Sequence, residues 1–384
     1  MNAAPFRLFP VSPRADMDYA LLWTSLLLLA LGLVMVYSAS FAYAENDHLS
    51  SAHYLIRHLV FLAIGAICAV TAFQISMEEW QKAAPWLFLA GLLLLALILI
   101  PGVGKSINGA RRWLNLGAIS PQPSELMKLC CVLYVADFAV RKREFMEDFK
   151  RAFLPMLAVM ALVGALLKME PDVGALLMMS TLVMGILFMG GLNLWIFLRL
   201  AACLLLALPP LIFFSHYIYA RILAWLYPQN FIDGSGYQPF HAKLAFGRGG
   251  WFGTGLGGGV EKHLYLPEAH TDYLLAVIGE ELGFVGLVAV VLLFVLVVRR
   301  AFAIGRLCVD LDRLYPALVA MGIGLWFGLQ GFINMGVNVN LLPTTGMTLP
   351  FMSYGGSSLV VNCLALGILL RVDWENRRLM QRSV

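Results

Sequence analysis

This sequence predicts an all-α, polytopic membrane protein with about ten transmembrane helices, and three observations support that. Of its 384 residues, 60% are hydrophobic and only 13% are charged, whereas a soluble domain carries roughly 25% charged residues. The apolar residues gather into runs close to the roughly 20 residues that a helix needs to cross a bilayer core. The basic residues cluster between the apolar runs, as topology signals do.

Taken in order, the runs predict spans at about 20–40, 57–75, 83–101, 122–140, 153–168, 173–190, 194–214, 273–298, 315–335 and 354–371. The first is longer than the core of a signal peptide and no cleavage site follows it, so it reads as a retained span. Spans five to seven are crowded, with short connections. An even count puts both termini on one face. Arg7 and Arg14 precede span one, and Arg141-Lys142-Arg143 with Lys150 and Arg151 follow span four. Arg299, Arg300, Arg306 and Arg313 lie between spans eight and nine, and Arg371, Arg377, Arg378 and Arg382 follow span ten. All four groups fall on one face, which the positive-inside rule assigns to the cytoplasm. The expected organisation is a cytoplasmic tail over 1–19, a transmembrane domain over 20–371 and a cytoplasmic tail over 372–384.

The opposite face receives loops 41–56, 102–121, 169–172, 215–272 and 336–353. The long periplasmic loop 215–272, between helices seven and eight, is not a hydrophilic domain. Its segment 217–227, rich in Tyr and Trp, predicts an aromatic helix lying on or re-entering the membrane. The net charge of +4 is too small and scattered to argue for nucleic acid. Cys68, Cys130, Cys131, Cys203 and Cys363 lie in apolar segments and Cys308 in a basic loop. No pair has metal-ligand spacing, so all six read as small hydrophobes outside any disulfide framework.

The most informative stretch is Leu266-Pro267-Glu268-Ala269-His270-Thr271-Asp272-Tyr273. It sets two carboxylates and a histidine at the start of a long apolar run, where an ionisable group is costly to desolvate and points to function. The bland alternative for Asp272 is a solvated carboxylate favoured by the helix dipole. Glu280 and Glu281 lie deeper on the same run. Glu281 projects nearly opposite Asp272 at 100° per residue, so at least one of the pair needs a polar interior or a buried partner.

A glycine run, 247–259, precedes this stretch and contains G-x-G-x-x-G at Gly253, Gly255 and Gly258. With no strand before it and no βαβ unit around it, the dinucleotide reading fails. What remains is a tight loop whose bare backbone admits a ligand or another helix, or whose N–H groups hold a phosphate. Glu125 and Lys128 are spaced to pair on span four. Lys168, Glu170 and Asp172 flank the junction of spans five and six, Arg111 and Arg112 stand beside Trp113, and Gln330, Asn334 and Asn338 recur every fourth residue on span nine. Each pair reads equally as an internal hydrogen bond between helices or as the wall of a wet cavity. The last loop mixes Pro, Gly and hydroxyl residues at membrane depth, where broken backbone survives only when buried or lining a cavity. That also resembles the interrupted helices of transporters.

At these residues the chain resembles the SEDS family, bacterial membrane glycosyltransferases that polymerise peptidoglycan from lipid II. The resemblance rests on Arg111-Arg112-Trp113, on Gln122-Pro123-Ser124-Glu125-Leu126-Met127-Lys128 and on Pro267-Glu268-Ala269-His270-Thr271-Asp272. Gly279-Glu280-Glu281-Leu282-Gly283, Pro343-Thr344-Thr345-Gly346 and the stretch from Pro350 to Ser358 complete it. Within the family, Gly255-Leu256-Gly257, Pro267-Glu268-Ala269-His270 and Ile278-Gly279-Glu280-Glu281 look like the cell-division branch. Two departures stand out: His241-Ala242 where the family often has Gln-Ser, and Glu170-Pro171-Asp172 where it often has Gln-Pro-Asp.

The resemblance implies an inverting polymerase of septal cell-wall synthesis in the inner membrane, with Asp272 as general base. It implies substrate contacts from Arg111, Arg112, Lys128, Arg248, Glu268, His270, Ser353 and Ser357. It implies a divalent cation, Mg or Mn, held mainly by the substrate diphosphate with Asp272 or Glu268, and no organic cofactor. The implied partners are a class B penicillin-binding protein, an FtsI-type single-span transpeptidase, and other division proteins. A lipid II flippase and an elongation-type polymerase are the alternative readings.

Overall fold

The computed structural model describes residues 17–107, 110–115, 117, 120–146, 148–199, 202, 206, 216–227, 230–232 and 234–382. The helices are α1 (Tyr19–Asn46), α2 (His53–Gln74), α3 (Met77–Ile98), α4 (Pro123–Arg141), α5 (Leu154–Met169) and α6 (Val173–Met189). They continue as α7 (His216–Leu226), α8 (Tyr237–Gly249), α9 (Leu274–Asp310), α10 (Leu314–Asn338) and α11 (Gly356–Arg382). Among the described residues, α1, α2, α3, α9, α10 and α11 are long and apolar enough to cross a membrane. The apolar α5 and α6 are shorter, and α4 carries Glu125, Lys128, Asp137 and Arg141. The expected seventh span, 194–214, lies largely outside the described residues, which there are helical at 194–199, 202 and 206. The fold is a polytopic all-α bundle.

Local chemistry sets several of the helix starts. The Asp18 side chain accepts from the Leu21 N–H at the head of α1, and Ser76 and Glu79 form a capping box on α3. Pro123 opens α4, where its missing N–H is no loss. Large apolar side chains such as Ile67, Trp86, Leu93 and Leu292 stay exposed on the periphery, which suits a lipid-facing surface. Trp326, Phe327, Phe351 and Tyr273 are buried between helices.

The structure departs from the sequence reading in three places. First, α9 continues to Asp310, so Arg299, Arg300, Arg306 and Cys308, expected in a loop, are helical. Likewise α11 continues past 371 to Arg382. These helices outrun their apolar stretches because their polar side chains find partners within the helix or on neighbouring segments. Arg300 pairs with Asp18, Arg377 with Asp373 at 2.6 Å and Arg313 with Glu375. The buried Asn376 meets Cys308 and Arg313. These pairs set Asp18 at the same end of the bundle as 373–377.

Second, the segment read as a loop at 102–121 holds an antiparallel hairpin, β1 (Gly104–Ile107) with β2 (Ala110–Leu114). Strands this short give no periodic signal. Third, α8 takes in the head of the glycine run, Gly247 to Gly249. The expected aromatic helix is present as α7, and its Trp225 indole donates to the Asn340 carbonyl at 3.1 Å.

The glycine run is spliced into α9. At Gly283 that helix breaks, with φ 66° and ψ −165°. The N–H groups of Phe284 and Val285, which a straight helix would give to residues 280 and 281, donate instead to the carbonyls of Gly250 and Trp251 at 2.9 and 3.1 Å. The freed carbonyls of Glu280 and Glu281 accept from the N–H groups of Thr254 and Gly255 at 2.9 and 3.1 Å. These four backbone groups thus each regain a partner from the glycine run. A Cβ at Gly253 would strike the Glu281 carbonyl, and one at Gly283 the Gly253 nitrogen. Of the two sequence readings, a ligand or a helix against the glycines, the structure supplies the helix.

Candidate active site

Four of the five loops expected on one face, all but 41–56, converge on a cavity of about 550 Å³. Lys105, Arg112, Trp113 and Ser120 line it from the hairpin region, Gln122, Glu125 and Lys128 from the head of α4, and Asp172 from the α5–α6 turn. Arg221 of α7, Gln238 of α8, Glu268, Thr271, Asp272, the stretch around Thr344–Thr348 and Gly355–Ser358 close it. Arg57 and Phe61 of α2 complete the wall. Four helices begin here: the residue before α4 (Gln122), that before α6 (Asp172), that before α9 (Tyr273) and the first of α11 (Gly356) all line the cavity. Helix N-termini present unpaired N–H groups and positive dipole ends. Together with Arg57, Lys105, Arg112, Lys128 and Arg221, they make a field suited to a polyanion.

Asp272 sits half-buried in the wall, just before α9. Burial, then the neighbouring Glu268, push its carboxyl up to about 7, against the pull of Arg221 and Arg112. A carboxylate tuned there is a better proton acceptor than an ordinary aspartate at neutral pH. The segment bearing it is tightly turned. Glu268 has φ 57°, its carbonyl accepts from the N–H groups of Thr271 and Tyr273, and its carboxylate accepts from the Thr271 hydroxyl at 2.7 Å.

Of the residues singled out by sequence, the cavity gathers Asp272, Glu268, Arg112, Lys128 and Ser357. Lys128 pairs with Glu125 at 2.8 Å and donates to Gln330 at 2.7 Å. Ser357 Oγ accepts from the Gln122 N–H at 2.9 Å. Arg112 donates to the carbonyls of Glu170 and Pro171, fastening the hairpin to the α5–α6 turn.

The remaining four do not line the cavity. Arg111, one residue from Arg112 on the strand, projects to the other side and donates to the Leu99 carbonyl at 3.2 Å. Arg248 pairs with Glu261 at 2.7 Å and reaches Glu280 at 3.7 Å. His270 is buried among the rings of Tyr43, Tyr54 and Tyr354, and burial lowers its pKa. Ser353 is buried and accepts from the Leu349 N–H at 3.0 Å. Each stands in a motif but is spent on contacts of its own: the hydrogen bonds of Arg111, Arg248 and Ser353 fall within 13 residues along the chain, and the ring contacts of His270 are to the distant Tyr43, Tyr54 and Tyr354.

Sequence reasoning did not assign Arg57, Lys105, Arg221 or Gln122 to the site. Arg57 carried a signal, a lone positive charge at the head of a span. Arg221 lay hidden within an aromatic helix; its guanidinium donates to the Thr344 carbonyl at 2.8 Å. As for the two departures, His241 pairs with Glu261 at 2.6 Å, outside the cavity. Glu170 is fully buried with no hydrogen-bond partner for its carboxylate oxygens. Burial, then Asp172, push that carboxyl up to about 8.

Residues 19–378 match the family described as "Cell cycle protein", that of FtsW, RodA and SpoVE. The chain belongs to this family. Within it the chain is FtsW-like. A relative from Aromatoleum aromaticum, described as "Probable peptidoglycan glycosyltransferase FtsW", is 54% identical over 373 residues, covering 96% of this chain and 91% of that protein. A protein of the same description from Burkholderia thailandensis is 52% identical over 375 residues, covering 96% and 81%. Two solved structures of family type match the fold. One, described as "Structural coordination of polymerization and crosslinking by a peptidoglycan synthase complex", has a TM-score of 0.77 at 31% identity and covers 94% of this chain and 98% of its own. The Rod shape determining protein RodA of Thermus thermophilus has a TM-score of 0.66 at 29% identity, with the same coverage.

Proposed function

We propose that this chain is a peptidoglycan glycosyltransferase that polymerises lipid II into β-1,4 glycan strands during septal cell-wall synthesis, with Asp272 as general base. The observation that carries the assignment of the base is the half-buried carboxylate of Asp272, raised to about 7, in the wall of a cavity that Arg57, Lys105, Arg112, Lys128 and Arg221 also line. The relatives described as FtsW glycosyltransferases support the activity and favour the septal over the elongation-type reading.

The substrate carries its sugar on an α-linked diphosphate, and a β-linked product requires inversion in one displacement. The acceptor 4-hydroxyl loses its proton to the Asp272 carboxylate as its oxygen bonds to the donor's anomeric carbon. The bond from that carbon to the diphosphate breaks, and undecaprenyl diphosphate departs with the electron pair. This leaving group is already a stable anion, so the second carboxyl that a glycosidase needs is dispensable. The base contributes on the order of 10²–10⁴-fold. Arg112, Lys128 and the converging helix N-termini offset the charge gathering on the diphosphate.

A divalent cation, Mg or Mn, would be held by Glu268 and Asp272, which line the same cavity. No group of three or more His, Cys, Asp or Glu among the described residues has the arrangement of a metal site. A cation here would draw on one or two carboxylates together with the substrate diphosphate, the usual manner of Mg²⁺. Such an ion supplies added neutralisation of the diphosphate.

The cavity end faces the periplasm, both termini are cytoplasmic, and the protein works at the septum beside a class B penicillin-binding protein that crosslinks the new strands. The similarity to a structure of a synthase complex that coordinates polymerisation and crosslinking supports that partner. The test is purified protein, alone and with the transpeptidase, given lipid II in detergent, with glycan length read on a gel. Polymer that is lost in Asp272→Asn supports the reading. Absence of polymer from the wild-type complex, with lipid II moving between leaflets of a vesicle, establishes a flippase instead.

A further inference from the structure

Asp272 lies in a turn between two helices, where a side chain is placed only as well as its own peptide. Its carbonyl precedes α9 and so falls outside the helix's own ladder. Two buried side chains of α10 meet that carbonyl: Asn334 Nδ2 and Asn338 Nδ2 each donate to it at 2.9 Å. The Asn334 amide nitrogen also donates to the Met347 carbonyl at 2.6 Å, and the Asn338 side-chain oxygen accepts from the Ala276 N–H at 3.1 Å. Asn338 Nδ2 also reaches the Asn334 side-chain oxygen at 3.4 Å, so the two amides form one connected unit.

The geometry of this unit is specific to the site. Asn334 and Asn338 are one helical turn apart, so both point the same way. They tie three segments together: the Asp272 turn, the first turn of α9 and the last loop at Met347. The same loop passes the catalytic carboxylate, since a Cβ at Gly346 would lie 3.5 Å from Asp272 Oδ2. One turn earlier, Gln330 joins Lys128 of the opposite wall to the Thr348 carbonyl, with Nε2 to carbonyl at 2.9 Å. The ladder on α10 thereby fixes both walls of the cavity against one loop.

We propose that Asn334 and Asn338 are positioning residues for the transfer reaction: they clamp the Asp272 peptide to the last loop and so fix where the carboxylate meets the acceptor hydroxyl. Neither touches substrate, and neither lines the cavity. The inference rests on Asp272 being the base. A misplacement of about 1 Å at such a group lowers rate by roughly 100-fold, whereas binding of the donor, held elsewhere, is spared.

The test uses the full-length protein in complex with its transpeptidase, with Asn334→Leu, Asn338→Leu and the milder Asn334→Ser. Asn376→Leu is the structural control, since it removes an equally buried amide at the other end of the bundle. The expected result for the site variants is a fall in kcat of roughly 10- to 100-fold with KM nearly unchanged. Asn376→Leu lowers the unfolding temperature and leaves kcat near that of the parent. If the site variants lose thermal stability but keep the kcat of the parent, the clamp is merely structural and the inference falls. If the Leu variants do not fold, Asn334→Ser decides by the same split of kcat against KM. An active Asp272→Asn overturns the base itself, an outcome distinct from unmoved asparagine variants beside a dead Asp272→Asn.

Discussion

Two acidic constellations lie within ten residues on the run that becomes α9, and they are built oppositely. Glu280 and Glu281 are fully buried and saturated. Glu281 pairs with the buried Lys262 and accepts from Ser38 at 2.7 and 2.8 Å and from the Gly257 N–H at 3.1 Å. Glu280 accepts from the N–H groups of Val260 and Glu261 at 2.8 and 3.2 Å. Asp272 is half-buried against a cavity, with its backbone clamped and its carboxylate raised toward neutrality. A carboxylate whose oxygens are all spent on protein donors holds a loop in place. One held by its peptide with its oxygens on a cavity is left with chemistry to do.

The largest test of this contrast is Asp272→Asn. Glycan synthesis falls by at least ~10² on the gel assay, while the unfolding temperature stays at or above that of the parent, because the variant removes a charge that burial disfavours. Lys262→Met should do the reverse. It leaves Glu281 buried without its countercharge, at a cost of about 3–5 kcal/mol, seen as a lower unfolding temperature and loss of monodisperse protein. Pairing it with Glu281→Leu should recover much of that loss. A Lys262→Met protein as stable as the parent would undo the structural reading of this region.

The pH profile sharpens the same comparison. A base whose carboxyl is raised to about 7 is active when unprotonated, so the rate should climb with pH through about 7 and level above it. A limb near 4, the ordinary aspartate range of roughly 3.9, would mean that open water or a bound cation stabilises the carboxylate. Smaller still is the difference between the two adjacent arginines. Arg112→Ala should raise KM for lipid II by about tenfold, in keeping with a lost charge-assisted contact, and Arg111→Ala should leave KM near the parent value.

How much of this was legible in advance varies with the range of the interaction. Pattern fixed the helices, because bilayer thickness and hydropathy act locally. The ladder Gln330, Asn334 and Asn338 was visible as a period, and its internal reading proved right in geometry. The hairpin was not visible, since strands of 4 and 5 residues leave no periodic trace. Arg248 and His270 drew notice by standing in motifs, yet Glu261 and a tyrosine cage claim them, and such partners cannot be counted along a chain.

By itself the sequence determined the all-α membrane class, the face on which the loops gather and the likeness to a glycosyltransferase family, because composition, charge placement and motif order are one-dimensional. Tertiary structure alone decided which charged groups are spent on one another and which face the cavity. It also decided that the glycine run completes a broken helix. Burial and hydrogen bonding are properties of neighbours, and the neighbours of Asp272, Glu281 and Gly283 lie up to hundreds of residues away in the chain.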